Sequence, residues 1–476
     1  MKRIVIIGAG PAGLTAAYEL LNRSSEYSVT ILEETSFIGG LSRSVKCSSC
    51  IMDPGGHRFF TGIDRIGKLW TELIPVSDDT GKNDDILMKR KRYSSIYFKD
   101  RFFDYPISAG IFRQLKGLNA PKAAMGYIRS AIFPRKENNL EDLFINRFGS
   151  PVYEMFFKTY TEKHWGRSPR DISADWGYQR IRALKLSSVI GNIFKSSEKA
   201  APDEFYYPKY GPGQLWERTA ELIKSKGADI LSEHKVRRIC TENGRISAVI
   251  CTDKNGYEIT VKGDIFLSSM PLKELSLGID SAPKDIKRIA EGLSFRDHII
   301  VGVLAVRPEK FPSDCWIYIH DNSLKVSRVQ IYNNWSPYLL KDPDKYIWLG
   351  AEYFCQENDS LWKKSDNELA EIAAKELSQI GLIPSEKSVI HTHTERIKKA
   401  YPAYFDSYSE IDTIKKYMDS FGNLYCIGRN GQHRYNNMDH SMMTALVAVD
   451  NILSGKTDKA DIWNVNTEDI YNEAQN

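Results

Sequence analysis

Three glycines and one acid carry the first chemical signal in this chain. Gly8-Ala9-Gly10-Pro11-Ala12-Gly13 has the spacing GxGxxG, and Glu33 follows twenty residues after Gly13. In that pattern Gly8 permits a tight turn, Gly10 lets a pyrophosphate approach the backbone, and Gly13 lets a helix pack close to a strand. The N-terminus of the helix offers free N–H groups and a positive dipole end to the phosphates. Glu33 is placed to accept hydrogen bonds from a ribose diol. A glycine pair, Gly39-Gly40, comes after the acids Glu33 and Glu34, where backbone must approach a ligand closely. Asp53-Pro54-Gly55-Gly56-His57 ends in a histidine that can lie against a flat ligand, because the glycines before it carry no obstructing side chains. From Gly428-Arg429 a polar loop leads to a helix beginning near Asp439. That end either aims N–H groups at developing negative charge or is a surface loop capped by Asp439.

These residues need a scaffold. Lys2 to Ile7 is a short β-branched run suited to the middle of a parallel sheet, Leu14 to Leu21 a helix, and Ser28 to Leu32 a second strand. Ser42 to Lys46 and Ile51 to Asp53 read as a hairpin around Cys47-Ser48-Ser49-Cys50, with the two cysteines as turn residues. No second CxxC or histidine pair completes a zinc set, so no metal is expected. Thr80 to Arg92 reads as a polar surface excursion, and Ser108 to Ser197 as mainly helical. A glycine-rich loop opens a helix from Gln214 to Lys226, and strands follow at 236–240, 246–252, 258–261 and 264–268. Further strands are expected at 298–306, 315–320, 326–332, 346–352, 389–394 and 424–428, with helices at 366–380, 410–420 and 439–453.

Composition narrows the field. The 476 residues suggest two or three domains around a shared site, and 42% hydrophobic with 26% charged residues describes an ordinary soluble chain. A net charge of +4, from 65 Lys+Arg against 61 Asp+Glu, gives no field for nucleic acid. Seven cysteines make no disulfide framework. The longest apolar run, Ile299 to Val306, is a strand's length, and the run behind Met1-Lys2-Arg3 breaks at Gly8. No transmembrane segment and a cytoplasmic location are expected.

The acid followed by Gly39-Gly40 resembles the FAD-binding signature of the amine oxidase and UDP-galactopyranose mutase flavoproteins, which implies FAD rather than NAD. The chain as a whole resembles the mutases, more closely the eukaryotic type. The matching runs are GGH at 55–57, QRI at 179–181, YPKYGPGQLW at 207–216, SRVQIYNNWSPY at 327–338, AYP at 400–402 and GRNGQHRY with NMDHS at 428–441. The resemblance implies an α/β fold: a Rossmann-like FAD-binding domain with a helical insertion and a mostly antiparallel six-stranded substrate sheet. The expected divisions are 1–92 with 203–285 and 420–476 for FAD, 106–200 for the helices, and 93–105 with 286–419 for the sheet.

Roles follow from the resemblance. Arg180 and Arg328 match arginines that hold a substrate diphosphate, and an always-charged planar fork suits that task. Tyr318, Tyr401 and Tyr435 match tyrosines at the same phosphates, with Asn437 nearby and Tyr105 in the uridine segment. There the chain reads Tyr105-Pro106-Ile107-Ser108, where mutases of this type carry Tyr-Pro-Phe-Gln. His57 and Arg429 match residues at the flavin. The FAD contacts implied are Gly8, Gly10, Ala12, Gly13, Glu33, Glu34, Gly40, Leu41, Ser42, Gly56, Val236, Gly428, Arg429 and Met438. The activity implied interconverts pyranose and furanose forms of a nucleotide sugar through an adduct on N5 of reduced FAD, with NADPH or NADH as reductant. Thr161 to Gly166 instead resembles flavoproteins of the amine oxidase and protoporphyrinogen oxidase superfamily, which leaves an FAD-dependent oxidoreductase as the alternative. Oligomeric state is left open.

Overall fold

The computed structural model describes residues 1–81, 83–105, 114–115, 119–174, 177 and 204–465. Its first layer is a five-stranded parallel sheet. Leu424–Cys426, Ile265–Ser268, Lys2–Ile7, Tyr27–Leu32 and Asp229–Leu231 lie side by side in that order. The central strand is the most apolar, as its burial on both faces requires: Ile4, Val5, Ile6 and Ile7 are all buried. The helix Pro11–Arg23 crosses from it to the neighbouring strand and packs Ala12, Ala16, Ala17 and Leu20 into one core with the helix Met438–Ser454. Gly13 makes that approach possible, since a Cβ there would stand 2.0 Å from the Gly8 carbonyl oxygen. A three-stranded antiparallel sheet, Lys235–Glu242, Arg245–Thr252 and Glu258–Lys262, adjoins this layer.

The second layer is a sheet of seven strands rather than six. Its order is Val389–Pro402, Phe295–Val306, Tyr346–Cys355, Arg328–Ile331, Trp316–Ile319, Ser94–Phe98 and Arg101–Asp104. All neighbours are antiparallel except Trp316–Ile319 beside Ser94–Phe98. The strands alternate strictly. Ile299, Val301, Val303, Ile317, Val329, Ile331, Leu349 and Ala351 pack on one face with Leu369, Ala373 and Leu377 of the helix Asp366–Ile380. His298, Trp316, Tyr318, Arg328 and Gln330 therefore face the cavity on the other side. A slip of one residue would exchange the two sets, so the apolar face fixes which polar groups reach the site. The helix Asp366–Ile380 itself starts from a capping box of Ser365 and Glu368 and ends at Gly381.

The helices Leu140–Phe148, Ser150–Phe156 and Lys158–Trp165 line one end of the cavity, and the helix Asn119–Ile132 packs on the first two of them. The expected helical pattern from 178 to 197 lies outside the described residues. No helix among the described residues is long and apolar enough to cross a membrane.

Several local readings change. Thr80 to Arg92 is not wholly a surface excursion: Leu87–Lys91 pairs with Glu204–Pro208 and buries Leu87 and Met88. Only three apolar residues, Ile86, Leu87 and Met88, precede the basic run there, too few for a strand pattern in the sequence. Cys47 and Cys50 are buried, paired strand residues flanking a turn at Ser48 and Ser49, not turn residues themselves. The strand expected at 389–394 runs on to Pro402 through charged residues, because its pairing with Phe295–Val306 continues to that point. The polar run after Gly428 begins as a short helical turn, Gly428–Gly431.

Candidate active site

A cavity of about 820 Å³ opens at the carboxyl ends of the parallel strands, between the two large sheets and the helices that line its end. Gly8, Gly10, Ala12, Glu33, Glu34, Gly40, Leu41, Ser42, Gly56, Val236, Gly428, Arg429 and Met438 line it. Gly13 does not. It sits behind the loop against the Gly8 carbonyl, where it packs the helix on the strand. Glu33 does more than face the cavity. Its Oε2 accepts from the Ala9 N–H at 2.8 Å, and its Oε1 accepts from the Thr35 N–H at 2.9 Å and hydroxyl at 2.7 Å. The carboxylate thus braces the glycine loop. Gly39 and Gly40 close on the same loop: the Gly39 N–H donates to the Ala9 carbonyl at 2.9 Å, and a Cβ on Gly40 would lie 3.2 Å from the Gly10 Cα.

Deeper in, the loop Asp53 to His57 is held from several sides. The Tyr332 hydroxyl donates to the Asp53 carbonyl at 2.7 Å, and His298 Nε2 donates to the Pro54 carbonyl at 2.7 Å. The Asp53 carboxyl is bonded to the hydroxyls of Tyr207 and Ser44. Burial pushes its pKa up to about 8 even so. His57 lies at the end of the loop on the cavity wall. Burial, with the charges of Arg328 and Arg429 nearby, lowers its pKa to about 3, so it is neutral at pH 7. Its Nδ1 has no hydrogen-bond partner among the described residues.

Arg328 faces this loop from the seven-stranded sheet. Its Nε and Nη2 donate to Glu352 Oε2 at 2.9 and 2.6 Å. Burial opposes the charge most strongly, but Glu352 together with Tyr401, Tyr160 and Tyr318 holds the Arg328 pKa well above its usual value. Two nitrogens spent on Glu352 leave Nη1 for a ligand. Tyr318 is the cross-strand neighbour of Arg328 and packs on Tyr105, their ring centroids 4.7 Å apart. On the other wall Tyr401 stacks on Tyr435 at 5.6 Å, with the Arg429 guanidinium 4.1 Å from the Tyr435 ring centre. Arg429 also donates to the carbonyls of Ala400 and Asn436, both at 2.9 Å. Asn437 lines the cavity at the cap position of the helix Met438–Ser454, where the sequence pointed to Asp439. Arg180 lies outside the described residues, as do Pro106, Ile107 and Ser108.

Sequence reasoning missed Glu352 and, as site residues, Gln330, His298 and His320. Glu352 had a signal: it is the lone charge in the apolar strand YIWLGAEYFC, and a buried charge demands a partner. Missed too was the aromatic end of the cavity, formed by Phe144, Phe148, Phe156, Phe157 and Tyr160.

Comparison with known proteins agrees with this geometry. The chain belongs to the flavin containing amine oxidoreductase family, which matches residues 11–453, and it is an FAD-dependent enzyme of that superfamily. Its fold is similar to that of a crystal structure of reduced UDP-galactopyranose mutase, with a TM-score of 0.81 and 22% identity over 98% of this chain and 96% of that one. Among curated proteins it is 22% identical over 296 residues to coproporphyrinogen III oxidase of Staphylococcus aureus, covering 56% of this chain and 62% of that protein. It is also 24% identical over 182 residues to a probable UDP-galactopyranose mutase of Klebsiella pneumoniae, covering 36% and 43%. The chain thus spans less than two thirds of either curated relative. The residues present fit FAD. Bare backbone meets bare backbone at Gly10 and Gly40, and the helix Pro11–Arg23 carries no acid in its first turn to repel a phosphate.

Proposed function

We propose that this flavoenzyme is a cytoplasmic mutase that interconverts the pyranose and furanose forms of a nucleotide-linked sugar for surface polysaccharide synthesis. The observation that carries the reading is the polar wall opposite the glycine loop. Arg328 and Arg429, with Tyr318, Tyr401 and Tyr435, line one cavity with His57. A hydrocarbon substrate would leave Arg328 and the tyrosine hydroxyls unanswered, whereas a diphosphate accepts hydrogen bonds from each of them.

Reduced FAD, when bound here, supplies an electron-rich ring nitrogen to the anomeric carbon of the sugar. Arg328, through Nη1, and the tyrosine hydroxyls hold the diphosphate during its departure and return. The Glu352 carboxylate fixes the arginine so that little reorganisation accompanies the new charge. Neutral His57 adds no positive charge of its own beside the sugar. Arg180 is assigned to the same diphosphate, and Tyr105 with the aromatic end to the base. The division expected from the sequence belongs to this reading: 1–92, 203–285 and 420–476 carry FAD, 93–105 with 286–419 the facing sheet, and 106–200 the helices. NADPH or NADH is the reductant.

The test is anaerobic. Purified enzyme reduced with dithionite should interconvert UDP-galactopyranose and UDP-galactofuranose, and Arg328→Ala or Arg180→Ala should abolish it. Flavin that binds and reduces without any interconversion of a nucleotide sugar would sink the proposal. The second reading, an oxidoreductase, is favoured by the aromatic end at Phe144, Phe148, Phe156 and Phe157. Turnover of an apolar substrate by oxidised enzyme would establish it.

A further inference from the structure

Gln330 stands two residues beyond Arg328 on the same strand and therefore on the same face of the sheet. It is 1% exposed, and its Nε2 donates to Glu352 Oε1 at 2.7 Å. Glu352 is fully buried and gives its other oxygen to Arg328, so it is held as a carboxylate. A carboxylate can only accept. The Gln330 amide must then present its NH2 to Glu352 and turn its carbonyl oxygen away. That oxygen, Oε1, is buried and has no partner among the described residues, although Gln330 is part of the cavity wall. The loop makes room for it. A Cβ on Gly56 would lie 2.9 Å from Gln330 Nε2 and 3.3 Å from Oε1, so a bare backbone at 56 is what admits the amide beside His57.

An oriented acceptor with nothing to accept is a recognition element lacking its ligand. We propose that Gln330 is a specificity-determining residue: its carbonyl oxygen accepts a hydrogen bond from one hydroxyl of the bound sugar, and Glu352 is the positioning residue that sets the amide. The inference rests on the sugar-nucleotide reading above. An N–H of the reduced flavin could offer the same donor chemistry, and the experiment separates the two sources.

The variant is Gln330→Met, close in volume and without the acceptor. Flavin content and the flavin midpoint potential are measured first, without substrate. Kd values on reduced holoenzyme are then measured for UDP, UDP-galactopyranose and a panel of UDP-monodeoxygalactoses. The native enzyme should bind one deoxy sugar about tenfold more weakly than UDP-galactopyranose. Gln330→Met should lose that discrimination, with UDP affinity and midpoint potential unchanged. Glu352→Gln, which can donate and so frees the amide to turn over, should lose it as well while retaining flavin. Discrimination that survives in Gln330→Met overturns the inference and leaves the mutase reading standing. So does a shifted potential with unaltered sugar discrimination, which would assign the acceptor to the flavin. Failure of the native enzyme to bind any of these nucleotide sugars overturns both.

Discussion

Arg328 and Glu352 stand directly opposite one another on neighbouring antiparallel strands, and two guanidinium nitrogens converge on one carboxylate oxygen at 2.9 and 2.6 Å. The cation that faces the cavity is thus half of a buried pair. Its position is set from behind by a residue with no exposure to solvent.

Removing one partner of such a pair leaves the other charged in a dry place. Glu352→Ala is expected to cost about 3–5 kcal/mol of unfolding free energy in urea titration. The double variant Arg328→Met with Glu352→Leu should recover most of that loss while lacking activity. Equal destabilisation by the single and double variants would contradict a buried pair.

Gly13→Ala puts a methyl 2.0 Å from the Gly8 carbonyl oxygen, and the helix Pro11–Arg23 must move to admit it. Overpacking of this kind costs about 1–3 kcal/mol, and here it displaces the loop that faces the phosphates. The purified variant should carry much less flavin, read from the visible-to-ultraviolet absorbance ratio. Gly62→Ala, with no atom within 4 Å of the new Cβ, serves as the control and should keep its flavin.

Asp53 sets a pH dependence. Burial lifts its pKa from 3.8 to about 8, so its contribution to stability is fully present below pH 3.8 and is lost as pH rises through about 8. Asp53→Asn can still bond to Tyr207 and Ser44 but cannot ionise. Across melting curves from pH 5 to 9, the native enzyme should lose ground steadily to Asp53→Asn as pH rises. Parallel curves would show that the carboxyl is not held neutral.

On the acid side the histidines act in the opposite sense. Burial lowers the pKa of His298 from 6.5 to about 4, so its contribution is present above pH 6.5 and is lost as pH falls through about 4. Its Nε2 holds the Pro54 carbonyl in the loop before His57. His298→Gln keeps a donor and removes the titration. It should retain flavin at a lower pH than the native enzyme, as followed by flavin fluorescence on acidification.

The nucleotide end of the site was legible in the chain because its parts are close in sequence. A strand, a glycine turn, a helix and a second strand within Lys2 to Leu32 are set by hydrophobic pattern and backbone sterics. The spacing alone already gave Gly13 the packing of helix on strand, and a Cβ there would stand against the Gly8 carbonyl, whereas Gly8 and Gly10 line the cavity. The helix Asp366–Ile380 was legible to the residue, its start marked by Ser365 and Glu368 and its stop by Gly381. The polar wall was only half legible. Arg328, Tyr318, Tyr401 and Tyr435 could be named from resemblance, but Glu352 lies 24 residues from Arg328 along the chain. Its partnership exists only because two strands pair in one register, with the apolar face of the sheet committed to the helix behind it. Local chemistry writes its own turns and caps, whereas a buried charge and an unanswered amide acquire meaning only from what folding sets across from them.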